Sequence, residues 1–181
     1  MLAGEQGLAR VSPKPGFTKM INIFTMNRTW RLVDLPGYGF AHGSKKNTRQ
    51  FNQAVANYLK HRPNLSLVFA LVDSGLTPQA IDLEFVEWLV RNGVPFVLVF
   101  TKTDKATPAE VSANIAAFMA GIAAWFVQPP TTCACSANTG HGRQELLGVI
   151  QEMLTAIKTE SGNQPATQAA PKKRPDLQRP W

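Results

Sequence analysis

Cysteine is scarce in this sequence of 181 residues, and it contains no long apolar run. The two cysteines, Cys133 and Cys135, follow no metal-ligand spacing, so we interpret them as reduced core thiols rather than as a redox site. No apolar run approaches the roughly 18 residues that a membrane-spanning helix needs. The segment from Met1 to Glu5 shows neither a basic region followed by an apolar one nor an Arg-rich amphipathic pattern. We therefore expect a soluble protein that has no targeting signal and no membrane partner.

Acidic side chains are also in the minority. The sequence has 12 Asp and Glu against 19 Lys and Arg, which gives a formal net charge of +7. This balance favours a polyanionic partner, because basic side chains release phosphate counterions when they bind. Four basic residues and one acidic residue lie within 161–181, a segment rich in Pro, Gln and Ala that has too few apolar groups to form a core. We predict one domain over residues 1–160 and a disordered basic tail over residues 161–181.

Strand and helix patterns alternate along the predicted domain. An apolar alternation over 19–26 and 29–33 predicts an antiparallel hairpin, and short apolar runs predict buried strands over 67–72, 95–100 and 131–135. Apolar residues at spacings of three and four predict helices over 47–60, 77–92, 107–125 and 143–158. Two starts carry helix signals, namely Thr77-Pro78 and the capping box from Thr107 to Glu110. The order predicts a doubly wound α/β fold with a mostly parallel sheet, which binds ligands at the carboxyl ends of its strands.

The first candidate site residues follow the second hairpin strand, in the motif Asp34-Leu35-Pro36-Gly37. A carboxylate at a strand end can hold a magnesium ion through water. A glycine three residues later lets a backbone N–H approach a phosphate closely. The same four residues also suit an ordinary turn, and the motif alone does not separate the two interpretations.

The second candidate motif, Thr101-Lys102-Thr103-Asp104, follows the predicted strand over 95–100. An ionised Asp104 can accept hydrogen bonds from the N1 and N2 donors of guanine, while the stem of Lys102 lies along the base. Adenine has no such pair of donors on that edge. The alternative is a solvated polar loop in which Asp104 caps local backbone groups.

The third candidate motif follows the strand over 131–135 and runs from Cys135 through Ser136 and Ala137 to Gly140. A loop of small residues at a strand end can offer backbone N–H groups to guanine O6. Its alternative is a plain strand-to-helix turn. The three motifs nevertheless occur in the order and on the elements of one known architecture, the P-loop GTPase domain.

Within that architecture the wording resembles the EngB family of GTP-binding proteins. Ser12 to Thr18 resembles the family's switch segment, Asp34 to Gly39 its second phosphate motif, and Thr101 to Asp104 its base-reading motif. The resemblance implies GTP or GDP with Mg²⁺ as ligands, Thr18 and Asp34 at the metal, Gly37 at the phosphate and Asp104 at guanine. The full set of nucleotide-binding positions that it implies is Gly16, Phe17, Thr18, Lys19, Asp34, Leu35, Pro36, Gly37, Thr101, Lys102, Thr103, Asp104, Cys135, Ser136 and Ala137.

The same resemblance implies a biological setting. The family is associated with assembly of the large ribosomal subunit and, in bacteria, with cell division and septation. Ribosomal RNA or the large subunit is then the expected partner of a monomer. The expected compartment is the cytoplasm, or the matrix of a mitochondrion or chloroplast in a eukaryote.

One part of the family pattern is not found in the sequence. No Gly-x-x-x-x-Gly-Lys-[Ser/Thr] phosphate loop occurs, and the family's first strand would precede Met1. We expect an incomplete amino terminus; the alternative is a relative that has lost its nucleotide and serves as an RNA-binding or ribosome-binding module. Tyr38 stands where some GTPases place a water-orienting Gln, so we expect slow GTP hydrolysis and assign no catalytic residue.

Overall fold

The computed structural model describes Leu2, residues 21–37 and residues 45–162. Several predictions concern residues outside these ranges: the positions Gly16, Phe17, Thr18, Lys19 and Tyr38, and the tail beyond residue 162. The elements below build the fold within the described ranges.

The predicted hairpin is confirmed. Strands β1 (Asn22–Met26) and β2 (Trp30–Asp34) pair antiparallel, with Ile23 opposite Val33. Asn27 and Arg28 both have positive φ, and the Thr29 N–H donates to the Met26 carbonyl at 3.0 Å, as in a type I′ turn. The hairpin therefore ends with Asp34 at the carboxyl end of β2.

The predicted parallel sheet is also confirmed, with three strands in the order β3-β4-β5. These strands are β3 (Val68–Asp73), β4 (Phe96–Thr101) and β5 (Thr132–Ala134), and both pairs run parallel. In the described part of the chain, no hydrogen bonds join the hairpin to this sheet. The parallel arrangement brings the carboxyl ends of all three strands to one edge.

Helices cover both faces of the parallel sheet. They are α1 (Lys45–His61), α2 (Ala80–Arg91), α3 (Pro108–Ile122) and α4 (Arg143–Gly162), with a short 3₁₀ turn at Ala123–Trp125. One core cluster joins α1, α2 and α3 to alternate residues of β3 and β4, and in it the rings of Phe100 and Phe118 meet edge to face at 5.6 Å. The second cluster joins α4 to the opposite faces of β4 and β5. This two-sided packing confirms the predicted α/β class.

The second cluster contains both cysteines. Cys133 and Cys135 are buried free thiols, as predicted, beside Val97, Val99 and Leu146. Burial is the main cause that raises the pKa of each thiol, and the negative charge of Glu145 adds to it. These are core side chains rather than reactive ones.

One of the two predicted helix starts is confirmed and the other is wrong. Thr107 caps α3, and its hydroxyl accepts from the Glu110 N–H while the Glu110 carboxylate accepts from the Thr107 N–H. Helix α2 begins at Ala80 instead of near Thr77, with Gln79 as its N-cap. The Thr77 carbonyl accepts the side-chain amide of Gln79 at 2.8 Å, so the Thr77-Pro78 pair lies in the loop. None of the described helices combines the length and apolar character needed to cross a membrane.

Candidate functional site

The ends of β3 and β4 are stitched together at the edge where the candidate residues lie. The Thr101 carbonyl accepts from the Ser74 N–H at 3.0 Å and from the Ser74 hydroxyl at 2.7 Å. The Thr101 hydroxyl donates back to the Val72 carbonyl at 3.1 Å. Thr101 therefore serves as the fixed end of β4, from which the next residues leave the sheet.

The loops that follow β4 and β5 are joined through the backbone. The Thr103 N–H donates to the Cys135 carbonyl at 3.2 Å, and the Cys135 N–H donates to the Phe100 carbonyl at 2.8 Å. Lys102 has a φ of +61°, a left-handed conformation that costs a non-glycine residue about 1–2 kcal/mol. This bend lets the Lys105 N–H reach the Lys102 carbonyl at 2.9 Å. The tight turn places Asp104 against the loop after β5.

Asp104 receives two side-chain hydrogen bonds from that loop. The Ser136 hydroxyl donates to Oδ1 at 2.6 Å, and the Asn138 amide donates to Oδ2 at 2.8 Å. The Asp104 side chain is 17% exposed, and the Lys105 ammonium lies 3.9 Å from Oδ2. These hydrogen bonds, that of Ser136 first, hold the pKa of the Asp104 carboxyl below its usual range. The carboxylate is therefore ionised at neutral pH and can serve as an acceptor.

The hydroxyl of Ser136 has one possible role at this site. Ser136 is fully buried, and its Oγ accepts the backbone N–H groups of Asn138 and Thr139, each at 3.2 Å. A hydroxyl has two acceptor positions and one proton. Since the two N–H groups occupy the acceptor positions, the proton is directed to Asp104. Ser136 thus fixes the orientation of the carboxylate.

Replacing Ser136 with Ala is expected to destabilise the fold and to raise the pKa of Asp104. The change leaves two backbone N–H groups without their acceptor, which costs about 1–3 kcal/mol in the free energy of unfolding. A lowered folded-state pKa contributes stability above the unfolded pKa, and that contribution is lost as pH falls through the folded value. The stability gap between wild type and variant should therefore narrow in acid. Urea unfolding at pH 7 and pH 3 measures it, and an equal gap at both values would contradict the role of the Ser136 proton.

Lys102 makes a contact that the sequence analysis missed. Its ammonium pairs with Oδ2 of Asp73 at 2.6 Å, and Oδ1 of Asp73 accepts the Gly75 N–H at 3.0 Å. Asp73 is the last residue of β3, so it satisfied the same strand-end rule that selected Asp34 and Asp104. The pair spans the carboxyl ends of two neighbouring strands and sets the direction in which the Lys102 stem leaves the sheet.

The remaining predicted positions are placed at different depths. Asp34 accepts the Asn22 side-chain amide at 3.2 Å, Leu35 packs against the first core cluster, and Pro36 is buried. Gly37 is exposed, and a methyl group built there would meet no described atom within 4 Å. Cys135 contributes its backbone while its side chain faces the second core cluster. Ala137 is exposed in the turn that follows.

The structure therefore brings Thr103, Asp104, Cys135 and Ser136 together, and it joins Lys102 to Asp73 beside them. It gives no described contact between this group and Asp34. Among residues 21–37 and 45–162, no three His, Cys, Asp or Glu side chains group as a metal site would require. The chemistry on offer is an oriented, ionised acceptor at the edge of a parallel sheet, which suits a ligand that presents two donors.

Comparison with known proteins agrees with this geometry. Residues 1–102 match the family described as 50S ribosome-binding GTPase. The chain is 40% identical to the probable GTP-binding protein EngB of Bacteroides fragilis over 153 residues, which cover 84% of this chain and 76% of that protein. It is 42% identical to the protein of the same description from Cytophaga hutchinsonii over 152 residues, with coverage of 84% and 76%.

A solved structure shows the same fold. The crystal structure of a probable GTP-binding protein EngB matches with a TM-score of 0.60 at 20% identity, and the match covers 77% of this chain and 85% of that one. The family match and the identity to curated relatives lead to one conclusion: the chain belongs to the EngB family of GTP-binding proteins.

Proposed function

We propose that this protein is a guanine-nucleotide switch that acts on the large ribosomal subunit during its assembly. The observation that carries the proposal is the Asp104 carboxylate, which the buried hydroxyl of Ser136 orients at the carboxyl edge of the sheet. Membership of a family of GTP-binding proteins supports guanine nucleotide as the ligand.

Asp104 is proposed to read the base. Guanine presents an N1–H and an exocyclic N2 amino group on one edge, and an ionised carboxylate can accept both. Adenine presents no such pair, so the contact selects guanine. The backbone of the loop from Cys135 to Ala137 lies directly against the Asp104 turn and would reach O6 of the same base.

Magnesium and phosphate are proposed to lie nearer the hairpin. Asp34 ends β2 and has one carboxylate oxygen fixed by the Asn22 amide, an orientation that fits an outer-sphere partner of Mg²⁺. Thr18 would hold the metal with Asp34, and Gly16, Phe17, Lys19 and Gly37 would line the phosphates. When bound, Mg²⁺ neutralises phosphate charge. Asp34 would orient the water around it.

The proposed partner is the RNA of the large ribosomal subunit. The matching family is described by its binding to the 50S ribosome, and the formal charge of +7 favours a polyanion. The curated relatives above are bacterial, which favours a monomer in the cytoplasm over a protein of an organelle matrix. A role in cell division would follow indirectly from the supply of ribosomal subunits.

Cosedimentation with purified large ribosomal subunits tests this proposal. We expect this chain, or the same chain extended upstream by its own genomic sequence, to sediment with subunits in a nonhydrolysable GTP analogue and to release in GDP. Asp104→Ala should abolish the nucleotide dependence, because no carboxylate then holds guanine. Glu152→Ala removes an equal charge from an exposed position of α4 and serves as the matched control.

The alternative function makes the opposite prediction. A nucleotide-independent RNA-binding module would bind subunits equally in GTP analogue, in GDP and without nucleotide. Its affinity would fall steeply with salt and would not respond to Asp104→Ala. That result, or the absence of GDP binding by the extended chain in calorimetry, would reject the switch.

A further inference from the structure

Two donors of different character hold the Asp104 carboxylate. The Ser136 hydroxyl is buried and committed by its three hydrogen bonds, so it is a permanent partner of Oδ1. The Asn138 amide reaches Oδ2 at 2.8 Å from an exposed position on the same loop. Only the second donor lies on the solvent side, from which a ligand must approach, and only that donor can rotate away without breaking the loop.

The Asn138 donor has the chemistry of the ligand edge proposed above. A primary amide offers an NH₂ group in a plane, as the exocyclic amino group of guanine does. A carboxylate oxygen is most strongly bonded by one well-aligned donor, so the amide and the guanine amino group compete for Oδ2. The internal hydrogen bond must therefore be exchanged when the base binds.

We propose that Asn138 is an internal competitor for guanine: its side-chain amide caps Asp104 in the nucleotide-free protein and leaves Oδ2 when the base arrives. The inference rests on the proposed function, since it assumes that Asp104 reads the base. A capped fraction lowers the apparent affinity by the population of the open state. The exposed hydrogen bond sets the size of that effect at roughly three- to tenfold.

The competing role differs in sign from an ordinary supporting role. If Asn138 helped to hold the base, its removal would weaken nucleotide binding. If it competes, its removal opens Oδ2 and strengthens binding. The effect should be the same for GDP and GTP, because both carry the same base and differ only in phosphates far from Asn138.

The matched variants are Asn138→Ala and Thr139→Ala. Asn138→Ala removes the amide and keeps the backbone N–H that donates to Ser136. Thr139→Ala removes a side chain of the same loop whose hydroxyl accepts the His141 N–H at 3.3 Å. Lys105, the other charged group near Asp104, is unchanged in both.

The first measurement needs no nucleotide. In a carboxyl NMR titration of the nucleotide-free protein, Asn138→Ala should raise the pKa of Asp104, because one donor to the ionised form is lost. Thr139→Ala should leave that pKa at the wild-type value. An unchanged pKa in Asn138→Ala would show that the cap does not form and would overturn the proposal.

The second measurement is the Kd for GDP and for a GTP analogue by calorimetry, on the form of the chain that binds GDP. Asn138→Ala should bind both about three- to tenfold more tightly than wild type and Thr139→Ala. Equal or weaker binding by Asn138→Ala, together with a raised Asp104 pKa, would overturn the competition while leaving guanine recognition intact. No GDP binding by any form would reject the proposed function itself, and the competition with it.

Discussion

Asp104→Asn is expected to exchange the base preference of the protein from guanine to xanthine. Ser136 can only donate at this site, so the introduced amide turns its carbonyl oxygen to Ser136 and its NH₂ group outward. Guanine then meets an NH₂ group with its own amino group, and two donors face each other. Xanthine carries an oxygen at that position and accepts the amide. Each lost or gained charged contact amounts to about 1.5–3 kcal/mol, so we expect a change of roughly 100-fold or more in each preference.

Competition binding with GDP and XDP measures this exchange on the GDP-binding form of the chain. Asp104→Ala is the control, because it removes the guanine contact without providing a donor for xanthine. It should lose GDP and gain nothing for XDP. An Asp104→Asn protein that keeps its guanine preference would show that another residue reads the base. The thermal midpoint of each variant separates this outcome from a loss of fold.

Much of the architecture could be predicted because it rests on local patterns. Short apolar runs predicted all three parallel strands, since a strand covered on both faces must be apolar along its whole length. The strand-end rule then selected Thr101 to Asp104 and Cys135 to Ala137, and the structure places these segments in contact. The capping box at Thr107 was equally readable, because both its hydrogen bonds are made within four residues.

The partners of these residues could not be predicted, because they depend on where two loops meet in space. Asn138 lies 34 positions from Asp104, and its hydrogen bond needs the turn created by the left-handed Lys102. Asp73 did carry the strand-end signal, but nothing local identifies Lys102, 29 positions later, as its partner. The start of α2 failed for a related reason. A hydroxyl followed by proline suits a helix start, yet the first helical N–H groups take the Gln79 carbonyl as their acceptor.

Gly142→Ala is expected to be the most damaging small substitution in the described part of the chain. Gly142 has a φ of +71°, where an alanine costs about 1–2 kcal/mol. The added methyl carbon would also lie 2.0 Å from the Ala134 carbonyl oxygen and 2.9 Å from Cβ of Cys135. The Ala134 carbonyl belongs to β5, so it can yield only by distorting the sheet. Overpacking adds about 1–3 kcal/mol, and we expect a total loss of about 2–5 kcal/mol in the free energy of unfolding.

Two other glycines separate the causes of that loss. Gly140 has a φ of +79° with no described atom within 4 Å of an added methyl group, so Gly140→Ala should cost only the backbone strain of about 1–2 kcal/mol. Gly148 lies within α4 in open space, and Gly148→Ala should stabilise the helix by about 0.5–1 kcal/mol. Urea unfolding of the three variants gives the comparison. If Gly142→Ala lost no more stability than Gly140→Ala, the close approach of this turn to β5 would be refuted. A larger loss means that the loop holding Ser136 against Asp104 keeps its shape only because position 142 has no side chain.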